Sequence, residues 1–375
     1  MSGPPSPARP NLPWRMVSMA VMGSVGLLSR AFMYGLNDIE VCGLDRLLGV
    51  LDRRKAQGRE RGLLTVCNHV AVLDDPLMWG ILPLRYCFDV TNLRWGLGAH
   101  DICFKNKATS TFFSLGQVLP THRLWHSPHG GLFQPTMTQA VKLLSGPSYS
   151  SSLSPPPWVP STAPIASPVT PMSSLSSSPL PPVEPKSLSF STNGADDFPA
   201  PASYAANRNA WVHVFPEACC HQSSDSGLRY FKWGVSRLIL ESDPAPEFIP
   251  MFIHGTQNIM PEDRGWPKWA PRIRTKVKVV IGQPTDVDQL FGTHRAAWRK
   301  LVEKGDPELL KHSPEAVELR VAVARKVRHE VEKLRESMGF PAEEDESVAL
   351  AETWAKEPHT KKFKSPVDGS LVNRH

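Results

Sequence analysis

Cysteine is scarce and poorly spaced for its usual structural roles. The six in 375 residues, Cys42, Cys67, Cys87, Cys103, Cys219 and Cys220, show neither zinc-ligand spacing nor the framework of a small secreted domain, which argues against a disulfide scaffold. Cys219 and Cys220 are adjacent, a spacing unsuited to simple mutual bridging. A strong charge imbalance is missing too. The 42 Lys+Arg against 36 Asp+Glu leave +6, which suits an anionic membrane surface or substrate without demanding one. No basic run is interleaved with aromatics, and that argues against nucleic acid. The apolar run at residues 14–30, between Arg15 and Arg30, falls short of the ~20 residues a spanning helix needs. It fits a helix lying in a membrane interface or docked on a domain. No clear secretory cleavage pattern or Arg/Ser-rich transit peptide accompanies it.

The 41% hydrophobic content of a chain this long is ample for one large α/β domain or two small ones. Its organising stretch is residues 63–76. Leu63-Leu64-Thr65-Val66-Cys67 reads as a buried strand ending at Asn68-His69, and Asp74-Asp75-Pro76 as the start of a helix. Asp75 before Pro76 suits a helix start, because a carboxylate accepts orphan amide protons and proline fits the first helical position. His69 and Asp74 are five apart, so they meet only if the chain bends between them. With that bend the carboxylate can orient one imidazole nitrogen and leave the other to take a proton from a hydroxyl. A lone pair of this kind is more simply read as a strand-end histidine satisfied by a helix cap, and further features are needed to tip the balance.

In chain order, residues 1–13 read as a disordered, proline-rich terminus and 14–35 as the apolar helix. Pro76 to Leu84 is expected as a helix, and Arg85 to Leu93 as the return strand. A second helix ends at Gly116 and a short apolar strand leads to Arg123, whose planar donors suit a phosphodiester. Residues 146–207 hold over a third of the chain's 37 prolines. Their texture, as in Pro155-Pro156-Pro157 and Ser176-Ser177-Ser178-Pro179, predicts a disordered insert in a single domain formed by 36–145 and 208–340. Trp211 to Val214 is a buried strand ending at Phe215-Pro216-Glu217, followed by the cations Arg229 and Lys232 and a helical stretch. Phe248 to Ile253 and Lys276 to Ile281 are further strands, and the alternation predicts a mixed, mainly parallel sheet flanked by helices. Ser313-Pro314-Glu315 opens a long helix with Val317, Ala324, Val327, Val331, Leu334 and Met338 as its apolar stripe. Residues 341–375 read as a charged, solvated tail. The apolar segments 14–30 and 235–253 are both candidates for one-leaflet membrane attachment.

Four pieces then stand in order: Asn68-His69 with Asp74, Gly116 to Arg123, Phe215-Pro216-Glu217, and the proline-bearing strand Ile249-Pro250-Met251-Phe252. Together they resemble the four blocks of the glycerophospholipid acyltransferases, over roughly residues 14–281 apart from the insert. The resemblance implies an α/β acyltransferase fold with His69 as general base and Asp74 as its orienter. Arg123 and Glu217 would contact the phosphoglycerol of the lipid, with Arg229 and Lys232 as nearby cations. Where the family usually has glycine and often lysine after the glutamate, Ala218-Cys219 stand here.

The finer detail is similar to a mitochondrial branch that exchanges acyl chains between phospholipids and lysophospholipids: Asp74-Asp75-Pro76-Leu77-Met78-Trp79, Asp101-Ile102-Cys103-Phe104 and Arg229-Tyr230-Phe231-Lys232-Trp233-Gly234. That implies cardiolipin, monolysocardiolipin and phosphatidylcholine as substrates, no cofactor, and inner and outer mitochondrial membranes facing the intermembrane space. Self-association and membership of larger membrane complexes stay open. An acyl-CoA-dependent lysophospholipid acyltransferase would share the same blocks, and a catalytically weak lipid-binding membrane protein is a reading from another class. A metal hydrolase is disfavoured, because His69 and Asp74 lack a convincing third ligand.

Overall fold

The computed structural model describes residues 10–89, 92–149 and 189–374. Strands β1 (Asp38–Cys42), β2 (Leu63–Cys67), β3 (Arg94–Ala99) and β4 (Val118–Thr121) come first, then a hairpin of β5 (Ser189–Phe190) and β6 (Phe198–Pro199). After them lie β7 (Trp211–Val214), β8 (Cys220–Gln222), β9 (Glu247–His254), β10 (Lys276–Ile281) and β11 (Thr285–Asp286). Strands β12 (Lys362–Lys364) and β13 (Leu371–Asn373) close the chain. The central sheet has the order β1-β10-β9-β2-β7-β3-β4, with β11 beside β9. Strands β9, β2, β7, β3 and β4 run parallel, while β10 opposes β9. The sheet is therefore mixed and mainly parallel, as the alternation of elements predicts.

Strand β2 is buried on both faces, and its side chains alternate between two cores. Leu64 and Val66 join one core, which the Pro135–Leu144, Gly234–Leu240, Val287–Glu303 and Pro314–Ser337 helices cover. Leu63 and Cys67 join the other, beneath the Leu12–Leu36, Leu44–Gln57 and Asp74–Trp79 helices. Pro250 is tolerated inside β9 because its outer partner changes there: β10 pairs with Met251 to His254 and β11 with Glu247 and Phe248. A residue without an N–H fits at that break in the ladder.

Several expectations are corrected. The helix after the His69 turn is Asp74–Trp79, followed by a short Leu84–Cys87 turn, and the return strand is Arg94–Ala99 rather than 85–93. Gly80 stops the first helix where its backbone lies against Ser29. The N-terminal helix is longer than its apolar run, 25 residues from Leu12 to Leu36, because Asn11 caps it and Pro13 sits in its first turn. It is long and apolar enough to cross a membrane. Disorder expected for residues 1–9 and 150–188 lies outside the described residues. From Ser189 onward the insert is folded: Phe190 and Phe198 pack on each other, and Phe198 meets Phe104 edge-on at 5.4 Å. The segment 235–253 cannot enter a membrane, since it forms a buried helix and the central strand β9. In the Pro314–Ser337 helix Val317, Leu334 and Met338 are only half-buried. Arg320, Arg328 and Arg335 are buried instead, Arg328 donating to the carbonyls of Leu228 and Arg229.

Residues 341–375 are not a solvated tail. Strands β12 and β13 add to β8 in a second, three-stranded sheet. Glu357 is buried between Arg229 and Arg374, and Glu343 pairs with Arg328 at 2.6 Å. A run of charge reads as solvated only when its counter-charges are not waiting elsewhere in the chain.

Candidate active site

The parallel strands end together, and the site residues sit just past their carboxyl ends, the usual place for ligands in open α/β sheets. Asn68 is fixed first: its side chain donates to the Ile253 carbonyl at 2.9 Å and accepts from the Ile253 amide at 2.8 Å, extending the β2–β9 ladder by one rung. His69 follows at the bend. Its Nδ1 lies 2.9 Å from Asp74 Oδ2, the same oxygen that accepts the amides of Val70 at 2.6 Å and Ala71 at 2.8 Å. The other oxygen accepts the Thr256 hydroxyl at 2.5 Å. Asp74 is wholly buried while the His69 side chain keeps 21% exposure. The bend that the five-residue spacing requires is thus built by the carboxylate itself.

The two neighbouring aspartates divide. Asp74 serves His69, whereas Asp75, expected as the cap, pairs with the buried Arg94 at 2.6 Å and accepts from Trp79 Nε1. The imidazole stacks on Phe215 at 4.7 Å, and Cys220 Sγ lies 3.6 Å from Nε2. Burial works against the imidazolium, but the Cys220 sulfur and the Asp74 carboxylate outweigh it and hold the His69 pKa well above the usual histidine range. Burial pushes the Cys220 thiol up.

Glu217 is buried and points inward. Its carboxylate accepts the His69 amide at 2.8 Å and the Arg229 amide at 3.1 Å. Burial raises its pKa, with His221 and these two amides pulling against it. Arg229 is likewise occupied: both ends of its guanidinium donate to Glu357, at 2.7 and 2.6 Å, and it stacks over Trp354. These two residues position the His69 turn. Lys232 is half-buried against the Tyr230 ring, and its amide donates to the Pro216 carbonyl.

Arg123 lies two residues past β4, as His69 lies two past β2. Three strand spacings separate them, roughly 14 Å along the sheet's carboxyl edge. Its Nε donates to Asp101 at 3.1 Å, and a second nitrogen meets the other oxygen. Burial alone would raise the Asp101 carboxyl, yet Arg123 draws it below the ordinary range. Thr256, Cys220 and Glu357 are the contributors that sequence reading missed. None sits in a block of its own, and only β9, whose end delivers Thr256, gave a signal.

No family model matches the chain. Pairwise similarity is decisive: tafazzin of Saccharomyces cerevisiae is 32% identical over 377 residues, 96% of this chain and 88% of the relative. The chain belongs to the tafazzin family. Tafazzin of Drosophila melanogaster is 26% identical over 74% of this chain and 54% of its own length. The N-acylphosphatidylethanolamine synthase of Arabidopsis thaliana is 26% identical over 72% and 70%. As a member of the tafazzin family the protein is an acyltransferase, and phospholipids are its substrates.

Proposed function

We propose that the protein moves a fatty acyl group from a phospholipid ester to the hydroxyl of a lysophospholipid without coenzyme A. Cardiolipin and monolysocardiolipin are among its substrates, and phosphatidylcholine is a donor. The observation that carries the chemistry is His69, clamped by Asp74 at Nδ1 and partly exposed, whose Nε2 faces the Cys220 sulfur at 3.6 Å, a weak contact that a lipid hydroxyl can replace. Nε2 takes the proton of the lysolipid hydroxyl as its oxygen attacks the donor carbonyl. Collapse of the tetrahedral adduct expels the donor's alkoxide, which takes the proton back from His69. One ester bond forms as one breaks, so the exchange is near energetic balance and needs no nucleotide.

General base action supplies ~10²–10⁴-fold, and the rest comes from positioning two lipids beside one imidazole. Arg123 supports the lipid phosphate: its fork already holds a carboxylate, and a phosphodiester can take that carboxylate's place. Lys232 is the second cation for the headgroup. The choice of lipids and the placement on inner and outer mitochondrial membranes, facing the intermembrane space, rest on the similarity of the block sequences.

The N-terminal helix supports one-leaflet attachment. It presents small residues to the domain, Ser18, Gly23, Gly26 and Ser29, and leaves Leu12, Met16, Val17, Leu27 and Leu28 outside. That is the inverse of a soluble amphipathic helix. Acyl exchange between labelled phosphatidylcholine and monolysocardiolipin, without coenzyme A, tests the proposal in wild type and His69→Ala. Strict dependence on added acyl-CoA, or equal rates in the two proteins, would refute it.

A further inference from the structure

We infer that the loop of residues 261–275 is a second membrane anchor, seating Trp266 and Trp269 in an anionic phospholipid leaflet beside the N-terminal helix. This extends the one-leaflet reading above. Trp266 is 90% exposed and Trp269 79%, with Ile273 half-exposed. Tryptophan is rarely left so bare on a soluble surface, whereas its ring and N–H suit the headgroup layer of a bilayer. Lys268, Arg272 and Arg274 in the loop, and Lys276 just beyond it, are exposed, and none of them makes an ion pair among the described residues. Asp263 is the one exposed acid in the loop. The patch therefore complements lipid phosphates rather than a basic or neutral partner.

The ends of the loop tie it to both functional parts. At one end the Gln222 side chain donates to the carbonyls of Val70 and Met260 and accepts the Glu262 amide at 2.9 Å, joining the loop to the His69 turn. At the other, the Arg274 amide donates to the Leu36 carbonyl and the Thr275 amide to Asn37, the last turn of the N-terminal helix and its cap. The Arg272 amide closes the base onto Ile259. A loop whose ends are tied to the His69 turn and to the end of the N-terminal helix would, once its two tryptophans are seated, fix how the molecule sits on the leaflet.

Flotation of the full chain with vesicles tests this, using phosphatidylcholine alone and phosphatidylcholine with phosphatidylglycerol. Trp266→Ala/Trp269→Ala should lower partition about tenfold or more on both vesicles. Lys268→Ala/Arg272→Ala/Arg274→Ala should lower it about fivefold per cation, on the anionic vesicles only. All five side chains are exposed or bordering solvent, and unchanged melting curves check that the fold is intact. Leu27→Ser/Leu28→Ser on the N-terminal helix is the reference. If the tryptophan variant binds like wild type while the helix variant is weakened, the loop inference falls and the helix reading stands. A wild-type chain that stays in the aqueous phase with both vesicles overturns both. Because partition is the readout, failure of the acyl-exchange chemistry leaves this test intact.

Discussion

At Ala218 the backbone φ is +57°, in the left-handed region where the Cβ of an L-residue costs about 1–2 kcal/mol. This is the position at which the acyltransferase blocks usually carry glycine, and the turn keeps the glycine conformation although alanine occupies it. Glu217 therefore still reaches the amides of His69 and Arg229. Ala218→Gly should stabilise the protein by roughly 0.5–1 kcal/mol, the relieved strain less the entropy of glycine in the unfolded chain. A melting temperature raised by about 2 °C in calorimetry would show it. His69 yields a second prediction. Its folded pKa is raised, and the base must be neutral to accept a proton. Acyl exchange should therefore climb with pH through a midpoint above 6.5. Asp74→Asn should move that midpoint of the residual exchange to lower pH, because the Asp74 carboxylate raises it through its hydrogen bond and its charge. The His69–Asp74 pair was legible because a strand end and a helix start bracket it. Thr256 and Cys220 were not, since both arrive from distant strands whose register decides their place.

Among the elements, the N-terminal helix depends on small side chains for its docking. A Cβ added at Gly80 would lie 2.8 Å from the Ser29 carbonyl carbon, a backbone atom that cannot swing aside. Gly80→Ala should push the helix outward and cost about 1–3 kcal/mol, seen as a lowered melting point and faster proteolysis between residues 12 and 36. The apolar run in this helix was plain in the sequence, but its true length was not. Asn11 and Pro13 belong to a proline-rich terminus and read as disorder until Asn11 is seen accepting the Trp14 amide at 3.0 Å. The return strand was misplaced for a related reason. Arg85, Tyr86 and Cys87 have ordinary strand composition, yet they form a helical turn that opens at Pro83, with the Tyr86 amide donating to the Pro83 carbonyl and its hydroxyl reaching Asp52 at 2.7 Å.

Across the whole molecule, the mixed, mainly parallel character of the sheet could be read from the sequence, though β1 and the order of the strands within the sheet could not. Nor could the closure of the chain on itself. Glu357 lies 128 residues from Arg229, and no local pattern announces that pairing, so the acidic and basic ends read as solvent-facing. Their burial ties the C-terminal strands to the segment that supports the His69 turn. Glu357→Ala should leave Arg229 buried without its counter-ion and cost about 3–5 kcal/mol, measurable as a fall in the denaturant midpoint with unchanged slope. In the proposed function one clamped imidazole at the carboxyl edge of this sheet performs acyl exchange. The most direct measurement is the rate of labelled acyl transfer from phosphatidylcholine to monolysocardiolipin on vesicles free of coenzyme A. Replacing His69 with alanine, with vesicle binding and melting point retained, should lower that rate by ~10²–10⁴-fold; a rate equal to wild type would contradict the account.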